Sequence, residues 1–142
     1  MSKIVVGVDG SPGSRAALRW AHDEARLRGA TLEAVSVWQY PMSSSLTAFG
    51  TMPPPEDLGN DARGALLATL SEEGAGATDE VPVTTVVAEG APAAALLEAA
   101  KDADLLVVGS RGRGGFTGLL LGSVSQQCAS HAACPVVVVR GE

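Results

Sequence analysis

What is scarce in this chain narrows its class first. Two cysteines in 142 residues cannot build the disulfide framework of a small secreted domain. No stretch approaches the roughly 18 apolar residues that a spanning helix needs. The mean hydropathy of +0.20 therefore comes from Ala and Val spread over short runs. Met1-Ser2-Lys3 leads into an apolar run that ends at Asp9, too short for the core of a signal peptide. Charged residues make up 18% and hydrophobic ones 46%, which excludes intrinsic disorder. The expectation is a soluble, cytoplasmic protein folded as one domain over residues 1–142.

Positive charge is also scarce, and it is unevenly placed. Ten basic against 16 acidic residues give a net charge of −6. That argues against non-specific nucleic-acid binding, whose affinity comes from neutralising phosphates. Yet Leu105 to Gly141 contains no Asp or Glu, while Arg111, Arg113 and Arg140 lie there. A local positive field in an acidic protein suits a small anion better than a polymer.

Strand and helix signals alternate along the chain. Lys3 to Asp9 is a short β-branched run. Ser11 is placed to cap a helix and Pro12 fits its first turn. Leu18, Ala21 and Ala25 recur at helical spacing from Arg15 to Arg28, and Gly29 ends the run. Thr31 to Trp38 reads as strand two. Tyr40 to Pro55, with three consecutive prolines, is too long for a routine connection and reads as a flap or functional loop. Glu56 to Glu73 is the second helix and Val81 to Ala88 the third strand. Pro92 opens a helix to about Lys101, and Leu105 to Val108 is the fourth strand, ending at Gly109. A fourth helix runs from near Gly122 to near His131, and Pro135 to Arg140 is the fifth strand. Five strands separated by four helices predict a parallel sheet with helices on both faces, and the unbroken Val/Leu runs fit strands buried on both sides. Ligands of such sheets sit beyond the carboxyl ends of the strands, where the strand order reverses.

The fourth crossover carries the chemistry. From Gly109 to Ser125 it offers glycines for close backbone approach, Arg111 and Arg113, and a helix start at Gly122 to Ser125. Unpaired N–H groups and a partial positive charge at such a start favour phosphate. A plain glycine-rich turn with Ser123 as N-cap accounts for Ser123, but not for the glycines and arginines together. Two familiar phosphate motifs are excluded. A P-loop needs a lysine, and the only lysines are Lys3 and Lys101; a dinucleotide fingerprint fails because Thr117 stands where a third glycine belongs.

Gly109-x2-Gly112-x9-Gly122-Ser123 resembles the signature G-x2-G-x9-G-[S/T] of the universal stress protein family. The likeness extends to Ile4–Asp9 with Gly10-Ser11, to Gly90-x-Pro92, to Asp104–Gly109 and to Cys134-Pro135-Val136-Val137-Val138-Val139. The resemblance implies a Rossmann-like α/β fold, similar to the adenine nucleotide alpha hydrolases, whose five-stranded parallel sheet has the order 3-2-1-4-5. It implies ATP held between strands one and four. Val8 and Asp9 would stand at the end of strand one, with Asp9 on the ribose hydroxyls. Val37 would face the adenine through its backbone. Gly109, Arg111 and Gly112 would close on the ribose and first phosphates, and Gly122, Ser123, Val124 and Ser125 would wrap the distal phosphates. Mg2+ would accompany the triphosphate, held mainly by phosphates and water. Cyclic AMP is an alternative ligand, because the adenosine contacts are shared.

Other constellations carry less. Cys128, His131 and Cys134 are spaced three apart, but a structural zinc would need a fourth ligand and His22 would lie across the sheet. Buried structural cysteines are the default. No GxSxG elbow occurs, and Glu72-Glu73 and Asp79-Glu80 read as solvated charges. The expected role is a nucleotide-dependent stress regulator, with slow ATP hydrolysis at most. The alternatives are a true ATP-hydrolysing or nucleotidyl-transferring enzyme, or an interaction module without nucleotide. In the order 3-2-1-4-5 the four valines Val136–Val139 form an edge strand, and pairing with a second copy would cover it. The resemblance likewise implies a homodimer there.

Overall fold

Val and Leu runs that are continuous in sequence sort into two sets in space. The computed structural model describes residues 2–39, 54–111 and 121–141. Its order is β1 (Lys3–Gly7), α1 (Pro12–Arg28), β2 (Thr31–Trp38), α2 (Pro55–Glu72), β3 (Val83–Glu89), α3 (Pro92–Ala99), β4 (Leu105–Gly109), α4 (Ser123–His131) and β5 (Val136–Val139). The sheet order is β3-β2-β1-β4-β5, with every neighbouring pair parallel, as expected.

Alternate residues of each strand face opposite layers. Ile4, Val6, Leu32, Ala34, Leu105 and Val107 meet Leu18 and Ala21 of α1 and Leu66 and Leu70 of α2. Val5, Val35, Leu106 and Val108 meet Leu96 of α3 and Cys128 of α4 on the other face. Leu18, Leu66 and Leu106 are fully buried, and truncating any one to Ala would cost about 2–5 kcal/mol.

Helix α1 starts and stops where its sequence signals stand. Ser14 N–H donates to Ser11 Oγ at 3.2 Å, Pro12 occupies the first turn, and Gly29 closes the helix at φ 65°. It therefore begins three residues before the apolar periodicity at Arg15, because cap and proline set its start. Strand β1 stops at Gly7 rather than Asp9, since the chain turns through Gly10 at φ 83°. Strand β3 begins at Val83 rather than Val81. The Val81 N–H donates to Thr78 Oγ1 and its carbonyl accepts from Thr78 N–H, a turn that buries Val81 ahead of the ladder. Helix α3 gives way at Ala100 to a 3-10 turn, Ala100–Asp102.

Ion pairs tie β1 to β2 and to the turn after α3, and α1 to the end of α2. Lys3 Nζ contacts Asp102 Oδ1 at 2.8 Å and Glu33 at 3.7 Å, and the Asp102 bond raises the Lys3 pKa while lowering that of Asp102. Arg15 reaches Glu72 at 2.9 Å and Glu73 at 3.0 Å, and Arg19 pairs with Glu73 as well. Hydrogen bonds from Arg15 and then Arg19 hold the Glu73 carboxyl below its ordinary range.

Candidate functional site

β1 and β4 lie side by side in the sheet, but their connections part: α1 packs on one face and α4 on the other. That divergence opens a crevice beyond the carboxyl ends of the strands.

The β1 wall is a tight turn whose polar groups satisfy one another. Asp9 is exposed at its crest, and its Oδ1 accepts the Ser11 N–H at 2.9 Å. The Asp9 N–H donates to Ser14 Oγ at 3.1 Å, and that hydroxyl donates to the Ser11 carbonyl at 3.1 Å. Arg15 Nε donates to the Gly10 carbonyl at 3.2 Å, joining the turn to the carboxylates at the end of α2. Asp9 thus has the turn-forming role that its place before Gly10 suggests, with its carboxylate held at the strand end. Val8 is 4% exposed and its side chain lies in the core, so only its main chain reaches the crevice.

The β4 wall is organised around one carbonyl. Ser110 is buried, and its oxygen accepts the Gly122 N–H at 2.6 Å and the Ser125 hydroxyl at 2.9 Å. This sets the start of α4 against the end of β4. Gly122, not Ser123, is the N-cap, and no side chain caps the helix among the described residues. The geometry of a helix leaves the first-turn amides of Ser123, Val124 and Ser125 without carbonyl partners within the helix. These donors, the positive end of the helix and the exposed Arg111 favour an anion. Ser123 is exposed. Ser125 is 2% exposed, with its hydroxyl directed at the Ser110 and Gly122 carbonyls, so its amide rather than its hydroxyl faces a ligand. Val124 packs its side chain on the second core layer and likewise offers its amide.

The end of β2 supplies a peptide group. Along β2, Leu32 N–H and Trp38 carbonyl bond toward β3, whereas Thr31 N–H and Val35 carbonyl bond toward β1 and its flank. The alternation turns the Val37 N–H and carbonyl toward β1 as well. There the ladder ends with Val8 N–H on the Val35 carbonyl at 2.9 Å, two residues short of Val37. A donor and an acceptor therefore stand side by side at the crevice. Trp38 lies over Gly59 of α2, its Nε1 3.6 Å from where a Cβ on that glycine would sit, which makes it a packing residue.

Asp9, Val37, Gly109, Arg111 and Gly122–Ser125 are thus brought to one end of the sheet. Gly112 lies outside the described residues, as do 40–53 of the expected flap. Sequence reasoning missed Gly13, Ser14 and Ser110. The Ser11-x-x-Ser14 spacing is a visible capping signal for Ser14, whereas Gly13 and Ser110 act through contacts distant in sequence.

Cys128 is buried and Cys134 half-buried, and burial pushes both thiols up. Among the described residues no group of three His, Cys, Asp or Glu is placed to hold a metal ion, and no helix is long and apolar enough to cross a membrane. A separate cavity between α1 and the end of α2 is lined by paired charges, Arg19 with Glu73 and Arg26 with Asp23. It lies on α1 away from the crevice turn.

Comparison with known proteins agrees with this fold. The sequence profile of the Universal stress protein family matches residues 1–140. A universal stress protein of Mycolicibacterium smegmatis is 44% identical over 140 residues, covering 96% of this chain and 45% of that protein. The chain spans about half the length of the curated relatives it matches. Among solved structures, a universal stress protein in complex with cAMP superposes with a TM-score of 0.63 at 28% identity, covering 99% of this chain and 98% of that one. The universal stress protein from Archaeoglobus fulgidus in complex with dAMP gives 0.60 at 25%, covering 97% of each.

Proposed function

This chain belongs to the universal stress protein family, and from that premise we propose that its crevice binds an adenine nucleotide, with ATP as the preferred ligand, and that it acts as a nucleotide-dependent regulator rather than a metabolic enzyme. The observation that carries the reading is the α4 N-terminus, which no side chain caps among the described residues, fixed by Ser110 at the end of β4 beside Arg111. Three amides, the Ser123 hydroxyl and a guanidinium match the oxygens of a polyphosphate. Asp9, an acceptor at the strand end, suits the ribose hydroxyls. The Val37 N–H and carbonyl suit the donor and acceptor edge of adenine. The complexes of two relatives with cAMP and dAMP support the adenosine half of this reading.

Mg2+ would enter with the triphosphate, held by its oxygens and by water. Asp9 is tied into its turn by Ser11 at the ribose end, so the reading allows at most slow hydrolysis. Cyclic AMP is the second reading, favoured by the cAMP complex of a relative 28% identical to this chain. We propose also that Val136–Val139, four half-buried valines on the edge strand β5, pair with a second copy of the chain.

The test is to strip the protein of nucleotide and titrate ATP, AMP and cyclic AMP by calorimetry into wild type and Asp9→Ala. Binding of ATP tighter than cyclic AMP, weakened about tenfold in the variant, supports the reading. No adenine nucleotide bound at millimolar concentration would remove it. Steady-state ATP turnover well above background, lost in Asp9→Ala, would instead make the protein an enzyme.

A further inference from the structure

The first turn of α1 touches both walls of the crevice. On the β1 side, Ser14 Oγ accepts the Asp9 N–H. On the β4 side, Gly13 lies so close to the strand end that a Cβ added to it would stand 2.7 Å from the Arg111 carbonyl oxygen. The converse holds at Gly109, where a Cβ would stand 2.8 Å from the carbonyl carbon and oxygen of Gly13 and 3.2 Å from the Ser14 nitrogen. Side-chain carbons essentially never come within 3.0 Å of such atoms, and the atoms here are backbone, which cannot rotate aside. Two glycines on separate elements thus form a seat in which main chain lies directly on main chain.

We propose that Gly13 is a positioning residue of the nucleotide site: its seat against Gly109 and Arg111 sets where the phosphate-facing wall stands relative to Asp9. The inference rests on the adenine-nucleotide reading above. Its physical chain is short. A methyl group on Gly13 must push the Arg111 peptide away from α1. Arg111 follows Ser110, whose carbonyl holds both the Gly122 N–H and the Ser125 hydroxyl. Displacing that peptide shifts the guanidinium and the first amides of α4 together. Val37 stands on β2, whose end is held by Gly90 N–H on the Trp38 carbonyl, and Asp9 keeps its place relative to α1 through Ser11 and Ser14, so the adenosine end is displaced less than the phosphate-facing wall. The variant therefore loses affinity in proportion to the phosphates that a ligand carries.

The experiment titrates adenosine, AMP and ATP into nucleotide-free wild type, Gly13→Ala and Gly64→Ala. The last is an exposed α2 position where an added Cβ meets nothing within 4 Å. Gly13→Ala is expected to weaken ATP about tenfold or more, AMP less, and adenosine by about twofold or less, with Gly64→Ala like wild type throughout. An equal loss for all three ligands would reduce Gly13 to a support of the fold, and unchanged ATP affinity would show that the backbone yields at no cost; either overturns the proposal. Should Gly13→Ala not fold, hydrogen exchange on wild type decides: ATP must slow the Gly13 and Ser14 amides more than adenosine does, and equal slowing overturns the proposal. A wild type that binds none of the three ligands takes down the functional reading and this inference with it, an outcome distinct from wild-type binding that Gly13→Ala leaves intact.

Discussion

Two helices begin at the same crevice, and they begin in opposite ways. α1 closes its own first turn: Ser11 Oγ accepts an amide, Pro12 removes another donor, and the Ser14 hydroxyl links back to Asp9. α4 starts on a buried glycine with no side-chain cap among the described residues, and the nearby hydroxyl that could serve, on Ser125, is directed at two carbonyls. Both are helix N-termini with a positive dipole end and orphan amides, one fewer in α1 because Pro12 has no N–H. The difference is what the local sequence does with them. A helix end satisfied internally is structural; one held rigidly and left uncapped has its donors available to something else.

Capping the open end would erase this difference. At φ −77° the backbone of Gly122 is in a region that residues with a side chain adopt. Gly122→Asp should place a carboxylate over the α4 amides, repelling phosphate and occupying its donors, for a loss of ATP affinity of about 100-fold or more. Asp is a better N-cap than Gly by a few tenths of a kcal/mol, and the burial of this position works against that gain, so the thermal midpoint should change little. A large loss of calorimetric affinity with little change in thermal midpoint is the expected signature; loss of both would mean that Gly122 is needed for folding.

Opening the closed end sharpens the comparison from the other side. Ser11→Ala removes the α1 cap and should cost about 1 kcal/mol in urea unfolding. ATP affinity should change far less than in Gly122→Asp, since the α1 amides are not the phosphate donors.

The smallest effect concerns the seam that steadies the closed end. Arg15 joins the Gly10 carbonyl to Glu73, and the Glu73 carboxyl titrates below its ordinary value of 4.5. A carboxyl with a depressed folded-state pKa contributes stability that is fully present above the unfolded value and lost as pH falls through the folded one. The thermal midpoint of wild type should therefore fall on acidification below about pH 4.5, and that of Glu73→Gln should fall less steeply over the same window. Equal slopes would show that the pair contributes nothing to folding.

The architecture was largely legible in the residues, for physical reasons. Continuous runs such as Leu105–Val108 and Val136–Val139 leave no polar face, so their strands had to be covered on both sides. Ser11, Pro12 and Gly29 each act within one turn of their own position, and α1 starts and ends on them. The sheet order and the crevice residues came from the family resemblance that Gly109, Gly112, Gly122 and Ser123 carry, not from composition or periodicity. What stayed hidden depends on partners far along the chain. Nothing near Ser110 indicates that its carbonyl will meet residues 122 and 125, and nothing near Gly13 indicates an approach to Gly109. The start of β3 was misjudged because Val81, a strong strand former, is recruited into a turn by Thr78.

The carbonyl of Ser110 has a consequence for how such a protein can diversify. By binding the amide of Gly122 and the hydroxyl of Ser125, it brackets the stretch of sequence between Arg111 and Leu121 with fixed endpoints. Closing a longer bracketed segment is cheap, about 0.6 kcal/mol for each doubling of its length. Substitutions and small insertions in that stretch can therefore accumulate without moving the helix start they flank. Descendants of one ancestral chain could exchange this cassette to alter what is recognised while inheriting the same anchored amides, and a library randomised from Arg113 to Leu120, with Gly112 kept, would be a natural place to begin such an exchange in the laboratory.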